Sequence, residues 1–317
     1  MPQNTAMGRI IISAFLSSEA TVQIFLCKNI NYKYLSEFTV LNNLYKQDEL
    51  LKLKKAELDI LAEIDKICKK YDIQYFAVGG TLLGAVRHSG FIPWDDDIDI
   101  GMLRDDYERF LTIAKDELPS KYMLQHYTTE ASTPTYFAKV RNKNTLFYEK
   151  YAESIPMCKG IYIDIFPFDK VSDSSRENKW ISFVSLFLFE IYIAKSVSVI
   201  TDPIPSRQTR FFSSLRKITH LLVKPIPKNK AYHWLDTYLR KRNNSCTSMI
   251  SYGGKSGGRV PENKVFPLKS LPFENIIIPV PCDTDYVLTQ QYGNYMQLPP
   301  EEKRYSHKPY MLKFEEE

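Results

Sequence analysis

Asp97 and Asp99 alternate with Ile98 and Ile100. As a strand, residues 97–102 place Asp97, Asp99 and Gly101 on one face and Ile98, Ile100 and Met102 on the other. Two carboxylates then stand about 7 Å apart at Cα, opposite an apolar face. Asp95 and Asp96 precede them, so four like charges fall within five residues, and such charges repel unless a cation offsets them. Hard Mg²⁺ or Mn²⁺ takes oxygen ligands. A third carboxylate, Asp164, lies in a second alternating run, Ile161–Phe166, where Tyr162, Asp164 and Phe166 share a face. Upstream, Gly79 and Gly80 follow the apolar run Gln74–Val78, and glycines after a strand let backbone N–H groups approach phosphate oxygens. These features describe a site for divalent metal and phosphate, with carboxylates able to clamp two ions about 3.5–4 Å apart. The alternatives are a solvated acidic turn at 95–99 and a structural Asp164. An EF-hand is excluded, because Ile100 stands where its glycine belongs and Asp106 where its glutamate belongs.

These side chains need elements to position them. Apolar residues recur at helical spacing from Gln47 to Tyr71 (Leu50, Leu53, Ile60, Leu61, Ile64, Ile67, Cys68). Residues 74–78 read as a short buried strand, 81–88 as a helical turn or two, 105–118 as an amphipathic helix, and 121–127, 136–141 and 161–166 as strands. After Asp169 the texture becomes helical, over 174–200, 207–223 and 230–243, and the last 70 residues are short Pro- and aromatic-rich segments. The expected division is an extension of uncertain order at 1–45, a catalytic core at 46–170 and a helical and irregular region at 171–317 that completes the substrate cleft.

Composition narrows the classes. The 317 residues carry 42 Lys and Arg against 37 Asp and Glu, too mild an excess to imply a nucleic-acid partner. No uncharged apolar run reaches 18 residues. The best candidate, Ile181–Ile200, contains Glu190 and Lys195. Five dispersed cysteines form no CxxC and no zinc spacing, as expected of reduced thiols in a cytoplasmic protein. The second glycine cluster, 252–259, is not a P-loop, because Met249 replaces the first glycine of that motif. Basic residues beyond the 181–200 helix (Arg216, Lys217, Lys224, Lys228, Lys230) allow peripheral membrane contact as an alternative to plain bundle packing.

The block Phe76–Ile100, FAVGGTLLGAVRHSGFIPWDDDIDI, resembles the signature of the LicD family within the DNA polymerase β-like nucleotidyltransferase superfamily. Lys139-Val140-Arg141, Ile163-Asp164-Ile165-Phe166-Pro167 and Tyr292-Gly293-Asn294-Tyr295-Met296…Pro299-Pro300 follow in the family's order, so the resemblance spans roughly residues 47–310. It implies an α+β fold: a nucleotidyltransferase-type mixed-sheet core with helices, then a mainly helical C-terminal half. The implied activity is metal-dependent transfer of phosphocholine, or a related phospho-alcohol, from a CDP-activated donor to a sugar hydroxyl of a cell-surface glycan, lipid-linked or free, with release of CMP. Carried onto this chain, Asp97 and Asp99 hold Mg²⁺ or Mn²⁺, and Asp164, the third carboxylate, binds a second metal, helps deprotonate the acceptor hydroxyl, or both. Gly79, Gly80, Thr81, Arg87, Lys139 and Arg141 face the donor phosphates. The expected location is the cytoplasm, at the inner face of the membrane if the acceptor is lipid-linked. The alternatives are transfer of NMP itself to a sugar or small molecule, and a non-catalytic, membrane-associated scaffold for glycan assembly.

Overall fold

The computed structural model describes residues 45–197, 207–245, 247–254, 258–301, 304, 306 and 308–315. The expected extension at 1–45 lies, apart from Tyr45, outside these residues. Helix α1 (Gln47–Lys70) buries Leu53, Ile60, Leu61, Ile64, Ile67 and Cys68, the face that the helical spacing singles out. Strand β1 (Phe76–Ala77) leads directly into α2 (Gly79–His88). The helix therefore begins at the glycine pair rather than at Thr81. Gly79 takes φ +56°, open to it because it lacks a Cβ, and this turns the chain from strand to helix.

Strand β2 (Asp99–Leu103) runs into α3 (Arg104–Glu117). It starts two residues later than the alternation suggests, so Asp97 sits in the extended approach to the strand. Pairing explains the difference, since β1 is two residues long and reaches only Gly101 and Ile100 of β2. Strands β3 (Tyr122–Gln125), β4 (Ala138–Asn142) and β5 (Leu146–Tyr148) precede the ten-residue β6 (Tyr162–Val171). The sheet order is β1-β2-β6-β4-β3, with β2 and β6 parallel and the other neighbours along this path antiparallel. Ile98, Ile100, Met102, Ile163 and Ile165 point into the main core with the inner face of α1, and the opposite face of β2, β6 and β4 carries the polar residues.

Three helices follow: α4 (Ser175–Ala194), α5 (Arg207–Val223) and α6 (Lys228–Arg240). The Ser174 side chain accepts a hydrogen bond from Glu177 N and caps α4. Phe189, Tyr192 and Ile193 of α4 join Ala231, Leu235 and Leu239 of α6 in a second core. The chain then returns to the sheet. Strand β7 (Met249–Tyr252) pairs with Phe168–Val171 of β6, and β8 (Val260–Pro261) with β7. Short α7 (Glu262–Val265), the hairpin β9 (Lys269–Phe273) and β10 (Ile276–Val280), and α8 (Thr284–Tyr292) follow; β11 (Met311–Lys313) pairs with β5. The whole is a mixed α+β fold. No described helix is long and apolar enough to cross a membrane.

Candidate active site

Asp99 and Asp164 are register partners on the parallel strands β2 and β6, and Lys139 of β4 is the antiparallel partner of Asp164. One row across three strands therefore reads Asp99, Asp164, Lys139. Lys139 Nζ lies 2.6 Å from Asp164 Oδ1. Asp164 and Lys139 are both buried. Burial is the first cause pushing the Asp99 carboxyl well above the usual range, followed by the charges of Asp97, Asp164 and Asp95, with Lys139 opposing. Burial also raises Asp164, against the pull of Lys139 and then Arg141.

The acidic turn closes the other side. One carboxylate oxygen from each of Asp95, Asp96 and Asp97 lies within 4.8 Å of the other two. Asp96 is buried and accepts a 2.7 Å hydrogen bond from the Tyr45 hydroxyl. Glu57 of α1 is buried behind the turn, and its Oε2 has no hydrogen-bond partner among the described residues. Its carboxyl is raised by burial first and then by Asp97, Asp96 and Asp95. A pocket holding this many carboxyl groups, several driven toward their neutral forms, is the donor set that a hard divalent cation satisfies. The residues fit such an ion.

The glycine pair meets this acidic wall. A Cβ on Gly80 would stand 2.5 Å from Asp95 Oδ2, and one on Gly79 3.3 Å from Asp99 Oδ2. Val78, the residue preceding α2, supplies no side-chain cap, so the helix begins uncapped by that residue, with Gly79 and Gly80 beside Asp99 and Asp95. Thr81 Oγ1 is engaged in accepting from Asp99 N at 2.8 Å, which fixes the start of β2. Arg87 turns away to the C-terminal segment: its Nη1 donates to Tyr295 O at 2.8 Å and its Nε to His88 Nε2 at 2.9 Å. Arg141 donates to Gln125 Oε1 and Gly160 O, both at 2.6 Å, and lies over the Tyr162 ring, 4.5 Å from its centroid. Lys139 Nζ lies 3.6 Å from the same centroid. The structure thus gathers Gly79, Gly80, Asp97, Asp99, Asp164 and Lys139. Arg141 is one step farther along β4, Thr81 braces the backbone, and Arg87 ties the site to the segment after α8.

Tyr292 completes the wall, although no spacing in the sequence relates it to the acids. Its hydroxyl is 4.0 Å from the position of a Gly79 Cβ. Burial, and then Asp95, Asp99 and Asp97, raise its pKa. Beside Lys139 and Arg141 lies a small cleft of about 30 Å³, lined in part by Tyr148, Glu149, Tyr151 and Tyr162.

Residues 72–195 match the LicD/FKTN/FKRP nucleotidyltransferase domain family. The chain is similar to the lipopolysaccharide cholinephosphotransferase LicD of Haemophilus influenzae, 29% identical over 264 residues that cover 79% of this chain and 92% of that one. It also resembles the human ribitol 5-phosphate transferase FKRP, 27% identical over 109 residues, 34% of this chain and 19% of that one. An uncharacterised Rickettsia typhi protein is 27% identical over 135 residues, 37% of this chain and 44% of that one. The family match begins just before β1, ends just after α4, and contains the row Asp99, Asp164, Lys139; residues 72–195 carry a domain of the LicD type.

Proposed function

We propose that this protein is a phosphotransferase that moves phosphocholine, or a closely related phospho-alcohol, from a CDP-activated donor to a sugar hydroxyl of a glycan, releasing CMP. The observation that carries the reading is the in-register pair Asp99 and Asp164, with Asp99 beside the Gly79-Gly80 helix start and Lys139 alongside Asp164. Asp97, Asp99 and Asp164 would hold the divalent cation, which supplies neutralisation of charge on the donor diphosphate.

The rest of the chemistry belongs to the chain. The N–H groups opening α2 bind phosphate oxygens, helped by the positive end of the helix dipole. Lys139 brings a point charge and Arg141 a planar fork of donors. Asp164 takes the proton from the acceptor hydroxyl, a role suited to a carboxyl that burial has made more basic. The new O–P bond forms as the bond to the CMP oxygen breaks, in line, so positioning supplies most of the acceleration. The side of the site beside Lys139 would face the alcohol, the small cleft there widening to admit it. Its tyrosines and Glu149 suit a quaternary ammonium, which aromatic faces and a carboxylate attract. A cytoplasmic location fits a donor of this kind.

The test uses CDP-choline labelled separately in the choline and in the base, with Mg²⁺ and a glycan acceptor. Choline label on the acceptor, free CMP, and loss of both in Asp97→Asn and Asp99→Asn are expected. Base label on the acceptor would mean nucleotidyl transfer instead. No binding of donor or Mg²⁺ by calorimetry would point to a scaffold.

A further inference from the structure

Among the described residues, the face of α4 around Trp180, Phe183 and Phe187 is left open to solvent. Trp180, Phe183, Val184 and Phe187 follow one another at helical spacing, and all are exposed or half-buried, while Leu188 and Ile191 at its edge pack against the second core. Trp180 is 63% exposed, Phe183 46% and Phe187 50%. The opposite face, with Ile181, Ser185, Phe189 and Tyr192, is buried, so α4 is docked on one side and apolar on the other. Helix α5 lies against it through Arg216–Glu190 at 3.0 Å and His220 Nδ1 to Ala194 O at 2.6 Å. It exposes a second apolar stripe, Ile218, Leu221 and Leu222, beside Lys217.

The charge of this region differs from that of the rest of the chain. Residues 175–242 hold 13 Lys and Arg against four Asp and Glu, a net +9 in a chain whose total is +5. The remainder is net −4. Glu177, Glu190 and Asp236 all pair with arginines. Lys179, Lys217 and Lys224 make no ion pair among the described residues. Exposed Trp, Phe and Leu on helices flanked by lysine are the attributes of a surface that lies in the interfacial layer of a bilayer, drawn there by anionic headgroups.

We infer that α4 and α5 form a docking surface for an anionic lipid bilayer, with the apolar stripes at the acyl boundary and the lysines at the headgroups. Charge selects this occupant over the two others available. A second copy would bring its own +9 against this one. Residues 1–44 carry three basic and two acidic residues, too little negative charge to complement the surface. The inference stands independently of the transferase reading, because vesicle binding needs no donor or acceptor.

The full-length protein is sedimented with vesicles of phosphatidylcholine alone and of phosphatidylcholine mixed with phosphatidylglycerol, at low and high salt. Binding to the mixed vesicles only, weakened by salt, is expected. The triple variant Trp180→Ser, Phe183→Ser, Phe187→Ser should bind roughly tenfold more weakly or worse, with an unchanged melting temperature because those side chains are already exposed. Lys217→Glu with Lys224→Glu, which leaves the apolar stripes intact, should also lose anionic-vesicle binding. The inference falls if the wild type ignores mixed vesicles, binds neutral ones equally well, or binds no better than the variants. It falls too if light scattering finds a dimer that the triple variant splits while vesicles go unbound.

Discussion

Lys139 Nζ and Asp164 Oδ1 lie 2.6 Å apart on neighbouring antiparallel strands, in a pair almost closed to solvent. A lysine in that position occupies the carboxylate that a divalent cation would also use. Lys139→Met leaves Asp164 with burial and the charge of Asp99 around it. Removing one partner of a buried pair costs about 3–5 kcal/mol, so the metal-free variant should melt well below the wild type. It should also gain more from Mg²⁺, because the competitor for Asp164 has gone. Thermal melts at pH 8 with and without Mg²⁺ measure both effects. An equal or smaller Mg²⁺ shift in the variant would show that Lys139 and the ion do not share Asp164.

The glycine pair gives a second expectation. Gly79→Ala places a side chain at φ +56°, which costs roughly 1–2 kcal/mol, and brings a methyl near Asp99 Oδ2. Gly80→Ala keeps ordinary helical backbone but drives its methyl onto Asp95 Oδ2, at 2.5 Å. Asp95 must then swing away from the helix start. Gly80→Ala should lower kcat/KM on the order of tenfold or more, about 1.4 kcal/mol, while changing Tm by only a few degrees. Gly79→Ala should lower both. Kinetics unchanged in Gly80→Ala would remove Asp95 and the helix start from the site.

Part of this was legible in the sequence for a physical reason. Alternation is a local property, so Asp99 facing away from Ile98 and Ile100, and Asp164 away from Ile163 and Ile165, could be read directly. The register that sets Asp99 beside Asp164 and Lys139 beside Asp164 joins positions 65 and 25 residues apart, and no local pattern encodes it. For the same reason the family's terminal segment could be recognised without its place beside the acids, where the Tyr292 hydroxyl approaches Gly79 and Tyr295 O accepts from Arg87. The glycines between 79 and 101 divide between two demands. Gly79 and Gly80 face the carboxylates, whereas Gly84 and Gly101 make room for Gly90 O and the Phe168 ring.

His126 should govern part of the acid sensitivity. Burial, reinforced by Arg104, Arg240 and Lys115 and opposed by Asp236, pushes its imidazole down to about 4. Nε2 meets the Tyr232 hydroxyl at 3.1 Å and Nδ1 the Thr128 hydroxyl at 2.9 Å. A base with a depressed folded pKa takes up protons more readily when unfolded. Its stabilising contribution is therefore complete above about 6.5 and is lost as pH falls toward 4. The difference is worth at most about 3 kcal/mol. Urea titrations at pH 7 and pH 5 should show a smaller loss of stability in His126→Gln than in the wild type. Equal losses would assign the acid sensitivity to other groups.

Arg104 decides whether the core and the helices after Val171 stand or fall together. Its Nε donates to Asp169 Oδ1 at 2.8 Å and its Nη2 to the Tyr136 hydroxyl at 3.0 Å. Tyr136 donates to Asp236 Oδ1 at 2.7 Å, and Asn243 Nδ2 to Asp169 Oδ1 at 2.6 Å. Asp236 belongs to α6 and Asn243 follows it, so the buried charges of the sheet are satisfied by residues from beyond the 170 boundary. Arg104→Met strands Asp169, which is 1% exposed, and should cost about 3–5 kcal/mol. Adding Asp169→Leu removes the orphaned charge and should recover much of that loss, a coupling that a double-mutant cycle reads directly. Because both regions share the network, Arg104→Met should lower the melting temperature of the whole protein in one transition. Two separate transitions, with only the later one shifted, would show that the helical region folds on its own.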